Sequence, residues 1–131
     1  MMHFNERFLT IHWDEDTKVI WAEWKETPAG EPYRRGLNAA IDLIRQKKGR
    51  KWLADVKHLG AVSTEELKWT NEDWMPRALA AGLRWMAFVT PKKAITKVMV
   101  KNVVSRVDDH DLSIAHFETF DEARDWLRAQ K

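Results

Sequence analysis

The chain has 131 residues, enough for one domain whose core needs no cross-link or metal to hold it together. It contains no cysteine, which excludes disulfides, iron–sulfur clusters and thiolate catalysis. Its 22 basic and 20 acidic side chains leave a net charge of +2, so no field spans the whole surface to attract nucleic acid.

Met1 to Arg7 hold no apolar run, and the apolar stretches elsewhere are a few residues each. With the missing cysteines, this predicts a cytoplasmic protein with neither signal peptide nor membrane span. Tryptophan is unusually frequent, with 8 in the chain, and it suits cores and interfaces alike.

Hydrophobic spacing alternates between periods of two and 3.6 along the chain, the pattern of an α/β fold. Residues 7–13 read as a strand, with Leu9, Ile11 and Trp13 on one side and Phe8, Thr10 and His12 on the other. Asp14 to Thr17 is a polar turn. Residues 18–25 form a second strand, and so short a connection makes an antiparallel hairpin. After a loop over 26–31, Pro32 sits where a first helical residue belongs, and a helix runs to about Lys48. Tyr33, Leu37, Ala40, Ile41 and Ile44 share one face, Arg45, Lys47 and Lys48 fill the last turn, and Gly49 acts as a stop.

Lys51 to Val56 is a third strand. Ser63-Thr64-Glu65-Glu66 is a capping box that opens a helix through about Thr70. Asn71 is placed to cap a further turn, and Pro76 to bend or restart the helix. Gly82 closes the region and Arg84 to Val89 is a fourth strand. Thr90 then Pro91 predicts a helix over 91–106, a turn follows at 108–111, and Leu112 to Phe117 is a fifth strand. Thr119-Phe120-Asp121-Glu122 is a second capping box, opening a last helix that buries Phe120, Ala123 and Leu127. The order ββαβαβαβα predicts one domain over residues 1–131. It is built on a single mixed five-stranded sheet: an antiparallel hairpin, then parallel strands, with helices packed on it.

In such sheets, sites collect beyond the carboxyl ends of the parallel strands. Three loops qualify: Lys25 to Glu31; Asp55, Lys57 and His58 followed by Ser63 and Thr64; and Thr90 with Lys92 and Lys93 beyond it. Asp55, His58 and Ser63 are the residue types of an acid–base–nucleophile set. No G-x-S-x-G elbow accompanies them, and a helix-capping role accounts for Ser63 without chemistry. Asp108-Asp109-His110-Asp111 with His116 has metal-binding residue types, but lacks the glycine and distal glutamate of a calcium loop. The basic run Arg45 to Lys51 ends a helix, where cations offset the dipole, and no stacking platform adjoins it. Trp69 and Asp73 share a helix face, with Trp74 about a third of a turn further round. Core filling suits either tryptophan, and so does a role as a partner anchor.

Several strings together carry a resemblance. They are Trp13-Asp14, Tyr33-Arg34-Arg35-Gly36-Leu37, Lys51-Trp52-Leu53-Ala54-Asp55, Trp74-Met75-Pro76-Arg77, Ala87-Phe88-Val89, and Phe120-Asp121-Glu122-Ala123 with Trp126-Leu127. In these, and in its order of elements, the chain resembles the SpoIIAA-like group of small STAS and SEC14-like bacterial domains over nearly its whole length. The resemblance implies a regulatory, protein-binding module without a catalytic motif or cofactor. In STAS domains a regulatory serine opens the helix after the third strand, in a D-S-[ST]-G-like string; Ser63-Thr64 hold that position here. The aspartate before and glycine after are missing, and Glu65 and Glu66 already make the helix start negative.

The residues expected to meet a partner or ligand are therefore Asp55, Lys57, His58, Ser63, Thr64, Trp69, Trp74 and Thr90. The partner is expected to be a protein, or failing that a small apolar or anionic molecule. No catalytic residue, metal, nucleic acid or membrane is expected, and a tryptophan-bearing surface leaves room for a homodimer.

Overall fold

Leu9, Ile11 and Trp13 alternate with Thr10 and His12, and that alternation builds the first long strand of a mixed sheet. The structure, a computed structural model, describes residues 2–28, 30–90 and 112–130. The expected helix over 91–106 and turn at 108–111 lie outside the described residues.

The elements are β1 (Met2–Asn5), β2 (Leu9–Asp14), β3 (Val19–Trp24), α1 (Glu31–Lys47), β4 (Lys51–Asp55) and α2 (Thr64–Trp69). A π-helical turn (Thr70–Trp74) leads into α3 (Met75–Ala81), then β5 (Trp85–Val89), β6 (Ser113–Phe117) and α4 (Phe120–Arg128). Among the described residues the sheet has six strands in the order β1-β2-β3-β4-β5-β6, not the five expected. The extra strand is β1, which pairs antiparallel with β2 across an irregularity between Met2 and Phe4. It is short and half polar, so its alternation is too weak to read. From β3 onward every pairing is parallel.

The β2–β3 turn is built by Asp14. Its carboxylate accepts from Asp16 N–H at 3.0 Å and from the Thr17 hydroxyl at 2.9 Å, and Lys18 follows at φ 60°. At the end of α1 it is Lys48 that adopts the left-handed conformation, at φ 54°. Gly49 serves a different need. A Cβ there would stand 2.7 Å from Ile20 Cδ1, so its role is close approach rather than a positive φ.

Helices α1 and α2–α3 lie on one face of the sheet. That core joins Leu9, Ile11, Ile20, Ala22, Trp24, Trp52 and Met86 to Leu37, Ile41 and Ile44 of α1 and to Trp74 and Ala78. Helix α4 covers the other face, where Ala123 and Leu127 pack on Val19, Leu53, Ala87 and Val89. Both capping serine/threonine residues accept from the N–H three residues on, Ser63 from Glu66 and Thr119 from Glu122, each at 3.2 Å. The glutamates do other work: Glu66 pairs with Arg34, and Glu122 accepts from the Thr119 hydroxyl.

Asn71 caps nothing among the described residues, and Pro76 stands in the first turn of α3, as a restart would place it, but without a break from the segment before. The chain stays helical from Thr64 to Ala81 by widening once, with Met75 N–H bonded to Thr70 O. Proline lacks an N–H, and its ring crowds the carbonyl four residues back. A π-helical turn just ahead of Pro76 relieves that clash without a break.

Candidate functional site

The register fixes a common rim. Glu23, Asp55, Val89 and Phe117 lie level across β3 to β6 at the carboxyl ends of these strands. Val56 N–H bonds to Val89 O at 3.0 Å and Thr90 N–H to Phe117 O at 2.9 Å, carrying the ladder one residue further. Asp55 and Thr90 thus stand on one rim, and Lys57 and His58 leave β4 from it through a turn closed by Leu59 N–H to Val56 O at 3.1 Å. The loop after β3 reaches the same place: Thr27 Oγ1 accepts from Gly60 N–H.

Asp55 is buried, with 8% of its side chain exposed. Its carboxylate accepts from Lys57 N–H at 3.2 Å and faces Lys57 Nζ at 3.8 Å. Lys57, His58, Ser63 and Thr64 are exposed. Ser63 Oγ is occupied as a cap, and among the described residues no hydrogen bond joins His58 to Asp55 or Ser63. The three residue types of a hydrolytic set share a rim but not a geometry. Thr90 is 1% exposed, and its hydroxyl finds no partner among the described residues.

The two tryptophans separate cleanly. Trp74 is 2% exposed, packs on Trp52 with ring centroids 5.4 Å apart, and donates its indole N–H to Leu37 O at 2.7 Å. It is a core residue, so the expectation that it meets a partner does not fit its position. The π-helical turn accounts for this by rotating Trp74 onto α1. Trp69, before the turn, stays half-buried at the surface.

Two guanidinium groups lie over the Trp69 ring. Arg34 lies over its ring at 5.1 Å and Arg77 at 5.8 Å, with the edge of Tyr33 at 6.4 Å. Each arginine is itself fixed. Arg34 Nε donates to Glu66 at 2.7 Å, and this bond raises the Arg34 pKa above its ordinary value. Arg77 donates to Asn38 Oδ1 at 2.8 Å and to Asp73 at 3.4 Å. Beneath them Tyr33 and Thr70 share a buried hydroxyl–hydroxyl bond of 2.9 Å, and burial pushes the Tyr33 phenol up. Arg34 and Arg77 were not singled out from sequence. A signal existed for Arg77, four residues after Asp73 on the face that carries Trp69.

No group of three or more histidine or acidic side chains suited to a metal occurs among the described residues. His116 stacks on Phe88 at 5.3 Å, and burial lowers its pKa; Asp108 to Asp111 lie outside the described residues. No helix among the described residues is long and apolar enough to cross a membrane.

A family model described as SpoIIAA-like matches residues 19–128, which takes in β3 through α4 and every residue of the rim. No curated protein and no solved structure matches the chain.

Proposed function

We propose, because the chain belongs to the SpoIIAA-like family, that it acts as one regulatory domain that binds another protein rather than catalysing a reaction. The contact surface runs from the carboxyl rim onto α2: Lys57 and His58 after β4, Ser63 and Thr64 at the start of α2, then Trp69, with buried Asp55 and Thr90 lying beneath it at the strand ends. Trp74 supports this surface from beneath by fixing the helix to α1.

The observation that carries the reading is the cluster of Trp69 with Arg34 and Arg77. Tryptophan and arginine are the side chains that most often dominate protein interfaces. Here they are already ordered by Glu66, Asp73 and Asn38, so little side-chain entropy is left to lose when a partner arrives. Small-molecule binding at the rim is the alternative, favoured by the buried Thr90 hydroxyl, which has no partner among the described residues.

Native mass spectrometry of tagged protein taken from its own host tests the choice, with Trp69→Ala run in parallel. The reading expects a stoichiometric protein complex that the variant no longer forms. A retained small molecule, or a complex that survives Trp69→Ala undiminished, overturns it.

A further inference from the structure

Register brings one residue type to the amino ends of three neighbouring strands. Val19, Lys51 and Trp85 lie level across β3, β4 and β5, and the residues just before them are Lys18, Arg50 and Arg84. Adjacent strands are about 4.8 Å apart, so three cationic side chains start side by side. Arg50 O ties the row together by accepting from Arg84 N–H at 2.9 Å and Trp85 N–H at 3.0 Å. The last turn of α1 adds Arg45 and Lys47, and its cap adds Lys48. The whole cluster stands at the end of the parallel strands opposite Asp55 and Thr90.

The β2–β3 turn brings Asp14, Glu15 and Asp16 to the edge of this end, but most of the cluster stays without an ion-pair partner. Lys18 pairs with Glu15, but Arg45, Lys47, Lys48 and Arg50 have no carboxylate at ion-pair distance among the described residues. Arg45, Lys48 and Arg50 are exposed. Since the whole chain carries only +2, this is segregation of charge and not the by-product of a basic protein. The α1 dipole explains Arg45 and Lys47, which follow the usual placement of cations in a last turn. Arg84 donates to Leu79 O at 3.1 Å and Leu83 O at 2.6 Å at the end of α3, which leaves Arg50 and Lys18 as the cations that no helix end explains.

The surroundings decide among polyanions. A single-stranded nucleic acid needs bare aromatic faces to stack its bases. The indoles here are already covered: Arg50 lies over Trp85 at 5.7 Å, and Lys47 lies over Trp13, which is 4% exposed, at 5.9 Å. An anionic bilayer is held best by cations flanked by apolar groups that insert. The one large hydrophobic side chain that is exposed among the described residues is Met2, which lies on the edge strand β1, two strands across from β3, and a single methionine is not an inserting apolar flank. Carboxylate side chains need neither feature, only cations at strand-like spacing.

We propose that this basic rim is a second binding surface, and that it takes an acidic segment of a protein chain. The test is fluorescence anisotropy with a labelled peptide of about ten glutamates, at low and at near-physiological salt. The intact protein is expected to bind it, and added salt to weaken binding. Combined Arg45→Glu, Lys48→Glu and Arg50→Glu should lower affinity about tenfold or more, the loss of three exposed ion pairs plus new repulsion. Combined Lys57→Ala and His58→Ala, at the other rim, should leave it unchanged, so failure here is distinct from failure of the proposed carboxyl-rim surface. If the reversed variant does not fold by circular dichroism, glutamine at the same three positions gives the same reading with a smaller loss. The proposal is overturned if the intact protein does not bind the peptide or if the charge variants bind it equally well. Tighter binding to an oligothymidylate or to phosphatidylserine-containing vesicles than to the peptide overturns it too.

Discussion

Trp74 donates its indole N–H to the carbonyl of Leu37 at 2.7 Å, and this buried bond ties the middle helical segment to α1 beneath the half-buried Trp69. Two tryptophans five residues apart thereby divide the work. One holds the helix in place and the other is left where a partner reaches it.

That division predicts unequal costs on mutation. Trp74→Ala empties a core position and should destabilise by about 3–5 kcal/mol. Trp74→Phe keeps most of the volume and loses one hydrogen bond, while Leu37 O keeps its place in the α1 ladder; about 1 kcal/mol is expected. Trp69→Ala should cost less than Trp74→Ala, because half-buried Trp69 leaves no sealed cavity. Urea unfolding of the three variants measures the order.

Ser63 is read as a cap first. Ser63→Ala removes the acceptor for Glu66 N–H and should cost about 1 kcal/mol. Ser63→Asp replaces it with another good cap at a helix start and should fall within a few tenths of the parent. Thermal denaturation of both variants checks the pair. A Ser63→Ala protein as stable as the parent would remove the cap from the account.

Gly36 sits inside α1, where alanine ordinarily stabilises by about 0.5–1 kcal/mol. Here a Cβ would lie 2.5 Å from Leu9 Cδ2, and Leu9 is completely buried. Gly36→Ala should therefore destabilise, by about 1–3 kcal/mol, because α1 must lift from β2 or Leu9 must leave its rotamer. Denaturant unfolding gives the sign directly.

Burial lowers the pKa of His116, and of His12 where it stacks on Trp21. An imidazole whose folded pKa is depressed binds its proton more readily when unfolded. Stability should then fall as pH drops below the ordinary value of 6.5, with the loss complete below the folded pKa. His116→Gln should flatten this acid limb relative to the parent. Urea midpoints measured between pH 8 and pH 5 show whether it does.

The fold was largely legible because its signals are local. Alternation marked β2 and β3, Pro32 marked the start of α1, and two capping serine/threonine residues marked α2 and α4. β1 escaped because four residues with one apolar pair carry too little period. The π-helical turn escaped because Asn71 and Pro76 also read as a helix stop and restart, and only the bond from Met75 to Thr70 distinguishes the two. The carboxyl rim followed from the βαβ rule, but which tryptophan meets solvent did not, since it depends on that added rotation. The cationic row at the amino end was likewise invisible. Lys18, Arg50 and Arg84 are far apart in sequence and meet only through parallel register.

The central claim is that a protein partner covers the rim and Trp69. Amide hydrogen exchange of the chain alone and in the complex captured from its host tests it most directly. The account predicts slowed exchange over residues 57–69 in the complex, with α4 unchanged. Equal exchange over residues 57–69 in the free and bound states would contradict it.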